Sequence, residues 1–138
     1  MRSTKPIRVL ICTKYTLFRE GLKALLNGRN GLDLDSHIEV IGEAATAKQM
    51  IALLERLKPD VILLDPAASG LNAVEAVRRI RSADPRVKIL VMPLGEDGGA
   101  IAAYLRAGAA GQIGRHHRPV QLQSAIVHSV YGRGVHAA

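Results

Sequence analysis

The stretch DVILLDPAASGLNAVEAVRRIR, residues 60–81, decides the fold class. Val61 to Leu64 form an apolar run of branched residues, which is typical of a strand buried on both faces of a parallel sheet. The run ends at Asp65, a short loop follows, and a helical pattern of apolar positions begins at residue 72. This order predicts an α/β fold in which Asp65 lies at the carboxyl edge of the sheet.

The rest of the chain repeats this alternation of strand and helix. Starting with a strand, the predicted segments are 7–12, 17–27, 38–44, 47–58, 61–65, 72–83, 87–92, 97–108, 110–114 and 119–132. We expect Thr46 to cap the second helix, residues 58–60 to stop it, Pro119 to open the last helix and Gly132 to end it. Five βα units with right-handed crossovers predict a flavodoxin-like three-layer sandwich with a parallel five-stranded sheet in the order 2-1-3-4-5.

The first helix has an apolar stripe at helical spacing. Its members are Leu17, Phe18, Gly21, Leu22, Leu25 and Leu26. The last helix carries the apolar residues Val120, Leu122, Ile126, Val127, Val130 and Tyr131. Either all of them belong to the core, or some are left over and, with Tyr104 of the fourth helix near the same face, pair two copies of the chain.

Length and composition indicate one globular domain. The 138 residues, of which 48% are hydrophobic, predict a single domain over 1–138 with a core at about 7–132. The one cysteine, Cys12, excludes an internal disulfide and is interpreted as a buried structural thiol. The absence of a membrane-length apolar run and of a signal-peptide pattern predicts a cytoplasmic protein with no membrane partner.

The chain is basic, with 19 Lys and Arg against 12 Asp and Glu and a formal charge of +7. The basic residues are scattered and have no aromatic residues between them, so the charge is interpreted as a solvated surface and not as a nucleic-acid interface. No glycine-rich phosphate loop follows the first strand, which disfavours nucleotide-binding folds that depend on one.

Three segments together resemble the response regulator receiver domain of NarL/LuxR-like transcription regulators. They are residues 7–26, 40–92 and 104–134, within which LFREGLKALL, KPDVILLD and LRAGAAG are specific in combination. The resemblance implies the same fold and a regulatory role in two-component signalling. It also implies a histidine kinase or other regulatory protein as partner, and DNA contact only through an output domain outside this chain. A homodimer would form through helices 1 and 5, or through helix 4, strand 5 and helix 5.

The resemblance also assigns positions to the phosphorylation chemistry of the family. Asp65 matches the phosphoacceptor, and Thr13 and Lys14 stand where the family has an acidic pair for Mg²⁺. Pro93 stands where it has a hydroxyl residue, and Arg115 stands where it has a lysine. Pro66 follows the acceptor directly, and Ser69 and Gly70 take the place of the usual Pro-Gly.

These changes predict an atypical receiver, with no bound metal or cofactor, no enzymatic activity of its own and no Mg²⁺-dependent phosphorylation. Two alternatives are a conventional receiver phosphorylated at Asp65 by a histidine kinase, and a domain that binds a small anion beside Lys14 and Arg115. Because a buried aspartate needs a partner, we expect Lys14 or Arg115 to pair with Asp65. Otherwise, Lys14 points to solvent and Asp65 binds backbone or water. The basic segment GRHHRP, 114–119, is a solvated loop or a site for an anion or an acidic partner.

Overall fold

A computed structural model describes residues 5–27, 37–68, 72–93, 101–114 and 117–131. Strands and helices alternate through these residues, as predicted. They are β1 (Ile7–Cys12), α1 (Thr16–Asn27), β2 (Ile38–Ala44), α2 (Ala47–Leu57), β3 (Val61–Leu64), α3 (Ala73–Ala83), β4 (Lys88–Val91), α4 (Ile101–Ala107), β5 (Gly111–Gln112) and α5 (Pro119–Val130).

The five strands form one parallel sheet in the order β2-β1-β3-β4-β5, which confirms the flavodoxin-like prediction. Successive side chains of a strand point to opposite faces, so each central strand supplies two cores. On one face, strand residues pack with buried residues of α2, α3 and α4, and on the other face with buried residues of α1 and α5. The result is the predicted three-layer sandwich, with β3 buried at its centre.

Where the structure describes them, the predicted helix boundaries agree with the observed ones within two residues. The Thr46 hydroxyl accepts a hydrogen bond from the Gln49 amide at 3.1 Å and so caps α2. Lys58 follows α2 in the left-handed region with a φ of 47°, one residue before Pro59, so the helix ends at Leu57. Pro119 opens α5 as expected. α5 ends at Val130 with Tyr131 as its C-cap, two residues before the predicted end at Gly132, which itself lies outside the described residues.

The apolar stripe predicted for α1 is only partly correct. Leu22 and Leu26 are buried, but the Leu17 side chain is 88% exposed and Gly21 is also exposed. Leu17 and Gly21 lie one turn apart on a helical row that points away from the sheet, beside the row that faces it. The prediction assigned both rows to one face because it considered only the apolar character of the residues. None of the helices in the described ranges has the length and apolar character needed to cross a membrane.

Candidate functional site

The carboxyl ends of β1 and β3 lie side by side because these strands are neighbours in the sheet. The pairing continues one residue beyond β3, since the Asp65 amide donates to the carbonyl of Cys12, the last residue of β1, at 2.9 Å. On the other side of β1, the Thr13 amide donates to the Ala44 carbonyl at 3.0 Å. Thr13 and Asp65 therefore sit at the edge of the sheet, and both side chains are fully buried.

The Asp65 carboxylate has a hydrogen bond at each oxygen. The Thr13 hydroxyl donates to Oδ2 at 2.9 Å, and the Ala67 amide donates to Oδ1 at 2.9 Å. The Thr13 hydroxyl oxygen also accepts from the Tyr15 amide at 3.2 Å, so its single proton is directed to Asp65. The buried carboxylate is thus held by neutral donors, of which a threonine hydroxyl is one.

Lys14 does not form the predicted ion pair with Asp65. The lysine is exposed, and its Nζ lies 5.5 Å from the centroid of the Tyr15 ring. Where the chain leaves β1, consecutive side chains point in opposite directions, so burial of Thr13 turns Lys14 outward. The alternative prediction, in which Lys14 points to solvent and Asp65 binds backbone or water, is closer to the structure. It did not include the Thr13 hydroxyl as a partner of Asp65. Arg115, the other proposed partner, lies outside the described residues, as do Ser69 and Gly70.

A second polar cluster, unforeseen from the sequence, supports Thr13 from α1 and β2. The Arg19 guanidinium donates to the Thr13 carbonyl and pairs with Glu43 Oε1 at 2.9 Å. Lys23 Nζ lies 2.7 Å from Glu43 Oε2 and 3.0 Å from Glu20 Oε2. The available signal was the spacing of Arg19 and Lys23 by four residues, which puts two cations on one helical face.

These ion pairs shift the pKa values of Glu43 and Lys23. The ammonium of Lys23 and the guanidinium of Arg19 hold the pKa of Glu43 below its ordinary value, against a smaller opposing effect of burial. Hydrogen bonds to Glu43 and Glu20 raise the pKa of Lys23. Glu43 and Lys23 therefore keep their charges at neutral pH.

Cys12 is buried beside the same site, as predicted. Burial raises the pKa of its thiol to about 12, and the negative charge of Asp65 adds to this increase. A thiol in such surroundings stays protonated and unreactive at physiological pH. The structural interpretation of Cys12 therefore agrees with its environment.

The end of β4 contributes a buried proline. Pro93 follows the Met92 amide, which donates to the Leu64 carbonyl at 2.7 Å and so continues the pairing of β4 with β3. Proline has neither a hydroxyl nor an N–H group, so this edge offers no donor from the position that the family fills with a hydroxyl residue.

The side chains at this edge of the sheet do not provide the ligands that Mg²⁺ needs. Magnesium ions prefer several oxygen ligands in octahedral geometry, usually including one or two carboxylates. The Asp65 carboxylate is buried and occupied by two donors, and an exposed ammonium group stands next to Thr13. Within the described ranges, no three His, Cys, Asp or Glu residues are grouped so that they could hold a metal ion.

The loop after β5 is described only at its ends. The Gly114 amide donates to His117 Nδ1 at 2.8 Å, which fixes the ring against the backbone of the loop. Arg115 and His116 lie outside the described residues, so the predicted anion site over 114–119 stays a prediction.

Comparison with known proteins gives consistent matches. A sequence model of the response regulator receiver domain matches residues 9–127. The transcriptional regulatory protein DegU of Brevibacillus brevis is 32% identical over 107 residues, which cover 78% of this chain and 43% of that protein. The nitrate/nitrite response regulator protein NarL of Escherichia coli K12 is 28% identical over 135 residues, which cover 98% of this chain and 60% of that protein.

Solved structures show the same fold. A LuxR-family two-component response regulator from Aurantimonas sp. SI85-9A1 superposes with a TM-score of 0.82 at 27% identity, over 94% of this chain and 89% of that chain. The receiver domain of the putative response regulator NarL from Mycobacterium tuberculosis gives a TM-score of 0.81 at 25% identity, over 94% and 99%. The chain spans about half the length of the curated relatives that it matches.

Proposed function

The chain belongs to the response regulator receiver domain family of the NarL/LuxR type, and from this premise we propose that it regulates transcription without Mg²⁺-dependent phosphorylation of Asp65. In this proposal the domain acts through contacts with other proteins, including a second copy of itself. DNA contact belongs to an output domain of the longer regulator. A kinase or other regulatory partner acts by binding and not by phosphoryl transfer.

The state of the Asp65 carboxylate carries the proposal. An attacking carboxylate oxygen must approach a phosphorus atom surrounded by negatively charged oxygens, so a cation is needed to offset the repulsion. Asp65 is fully buried, Thr13 holds one oxygen and the Ala67 amide holds the other. The residues at the positions of the acidic pair are a buried hydroxyl and an exposed ammonium, which supply no ligand set for Mg²⁺.

Pro93 supports the same proposal from the neighbouring strand. A phosphoryl group on Asp65 would change the protein only if another side chain responded to it. Pro93 is buried at the end of β4 and has no group that can donate to a phosphoryl oxygen. The site therefore lacks the Mg²⁺ ligands that would assist phosphorylation of Asp65, and β4 lacks the hydroxyl group that would respond to it.

Intact mass measurement tests this proposal. The chain is incubated with MgCl₂ and acetyl phosphate, beside a receiver domain with an intact acidic pair as positive control. We expect the control to gain one phosphoryl group and this chain to keep its mass. Stoichiometric phosphoryl addition that disappears in Asp65→Asn would overturn the proposal.

Self-association is the second part of the proposed function. Val120 and Tyr131 on α5 are 44% and 54% exposed, and Leu17 on α1 is 88% exposed, so apolar area remains outside the core. Tyr104 of α4 is buried and contributes to the interior instead. We expect sedimentation to show a monomer–dimer equilibrium that Leu17→Glu or Val120→Glu shifts toward monomer. A monomer throughout the accessible concentration range would remove self-association from the proposal.

A further inference from the structure

The turn between β1 and α1, residues 13–15, is attached to the sheet by the Asp65 carboxylate. The Thr13 hydroxyl donates to Asp65 Oδ2 and accepts from the Tyr15 amide, so one oxygen atom joins β3 to the middle of the turn. Hydrogen bonds with one charged partner are roughly twice as strong as neutral ones, and burial excludes water from this one. The inner side of the turn therefore depends on a single buried contact between side chains.

The outer side of the turn is held from α1 by a single side chain. Arg19 reaches from α1 to the Thr13 carbonyl, and its guanidinium is oriented by Glu43 of β2. The Lys14, Tyr15 and Thr16 side chains are exposed, so water competes for much of the turn. Segments with few buried contacts open locally at a lower free energy than the sheet that carries them.

The turn also carries surface that a partner can reach. Tyr15 is 45% exposed beneath the Lys14 ammonium, and Leu17 in the first turn of α1 is 88% exposed. A displacement of the turn would move these side chains together while β1 and β3 kept their backbone pairing. A buried event at Asp65 would thus change an apolar and cationic surface.

We propose that the Thr13–Asp65 hydrogen bond is a conformational latch that sets the position of the β1–α1 turn and the start of α1. In the closed state, Thr13 is bound to Asp65 and the exposed side chains of Tyr15 and Leu17 have one arrangement. In the open state, the hydroxyl leaves the carboxylate and the turn detaches while the sheet stays intact. The latch goes beyond the proposed function, because it requires no statement about phosphate or magnesium.

Hydrogen exchange of the full chain tests the latch. Thr13→Val keeps the shape of the side chain and removes the hydroxyl, whereas Thr13→Ser keeps the hydroxyl. The reporter is the Arg19 amide, which donates to the Tyr15 carbonyl at 3.0 Å and does not touch the Thr13 hydroxyl. Thr46→Val is a matched control, because it removes another threonine hydroxyl that accepts from a backbone amide.

We expect Thr13→Val to accelerate exchange at Arg19 by roughly ten-fold, as for the loss of one charge-assisted hydrogen bond, with a much smaller change at the β3 amides. Thr13→Ser should exchange like the wild type, and Thr46→Val should affect α2 only. If Arg19 and β3 accelerate by the same factor, the bond is an ordinary part of global stability and the latch is rejected. An unchanged Arg19 amide rejects it as well.

A second variant covers the case in which Thr13→Val does not fold. Asp65→Asn keeps the volume of the side chain but removes the charge and replaces one of the two acceptor oxygens with an NH₂ group. The remaining oxygen can accept from the Ala67 amide, and the NH₂ group can only donate to the Thr13 hydroxyl oxygen. We expect a smaller acceleration at Arg19, and none in Asp60→Asn at the opposite end of β3. If Asp65→Asn leaves Arg19 unchanged, the latch is rejected on this variant alone. A phosphoryl group found on wild-type Asp65 would contradict the proposed function and leave this exchange result intact.

Discussion

Two aspartates bracket β3, and both connect it to β1. Asp60 precedes the strand and accepts from the Arg8 amide at 2.9 Å, while Asp65 follows it and accepts from the Thr13 hydroxyl at 2.9 Å. Asp60 is exposed, but Asp65 is fully buried. Water can replace the partner of the first carboxylate and cannot reach the second. The same residue type therefore makes a solvent-accessible contact at one end of β3 and a buried contact at the other.

The chemical surroundings of the two carboxylates also differ. Arg8 lies at the Asp60 end, where its guanidinium donates to the Lys58 carbonyl at 2.8 Å. At the Asp65 end, Lys14 points to solvent and Arg19 binds the carbonyl of Thr13 instead of the carboxylate. A carboxylate held by neutral donors loses more stabilising free energy when one donor is removed, because no nearby cation offsets its charge directly.

Removal of each carboxylate should give the largest difference between the two ends. Asp65→Ala leaves the buried Thr13 hydroxyl and Ala67 amide without their acceptor, so we expect a loss of about 2–3 kcal/mol in the free energy of unfolding. Asp60→Ala should lose less than about 1 kcal/mol, because water replaces the carboxylate. Urea unfolding followed by circular dichroism measures both. Equal losses would show that burial does not distinguish the two residues.

The fold was predictable because each of its parts has a local signal. The apolar run of β3, the Thr46 cap and Pro119 at the start of α5 each act within a few residues, and the structure confirms them. Five alternating units then restrict the topology through the right-handed crossover rule. The stripe of α1 was an exception, since Leu17 and Gly21 were assigned to the face toward the core while their helical row points away from it.

The site was less predictable because its contacts join distant parts of the chain. The position of Asp65 at the end of β3 follows from the strand pattern, but its partner depends on which of Thr13 and Lys14 turns inward. Charge favoured Lys14, whereas the direction of the chain after β1 selects Thr13. The contact between Arg19 and Glu43 requires the relative placement of α1 and β2, which no local pattern supplies.

Glu43 should contribute a smaller and pH-dependent amount to the free energy of unfolding, through the ion pair that orients Arg19 toward the Thr13 carbonyl. Glu43→Gln should lower the free energy of unfolding at neutral pH by about 0.5–1 kcal/mol, the range of a favourable surface ion pair. The folded-state pKa of Glu43 lies below its unfolded value. Its contribution is therefore complete above the ordinary glutamate pKa, about 4.3, and is lost as the pH falls below that value through the folded pKa.

Unfolding of the wild type and Glu43→Gln at several pH values measures this contribution. The two proteins should become similar in stability in acid. Glu75→Gln is the control, because the Glu75–Arg79 pair at 3.2 Å lies on α3, outside the cluster at Thr13. Only Glu43→Gln should also accelerate hydrogen exchange at Arg19. If Glu75→Gln does the same, the cluster on α1 and β2 has no special connection to the Asp65 end.

The smallest expected effect is a change in the pKa of the buried Cys12 thiol. It should distinguish the two aspartates, because the charge of Asp65 acts on this thiol. Burial is the main reason that the pKa of Cys12 is raised to about 12, and Asp65 adds to it. Asp65→Asn should therefore lower the Cys12 pKa while leaving it above the ordinary thiol value, because burial persists. Asp60→Asn should leave it unchanged. Thiolate absorbance during a pH titration of the folded proteins measures the Cys12 pKa in both variants. The same pKa shift in both would mean that the thiol responds to a general loosening of the fold and not to the charge of Asp65.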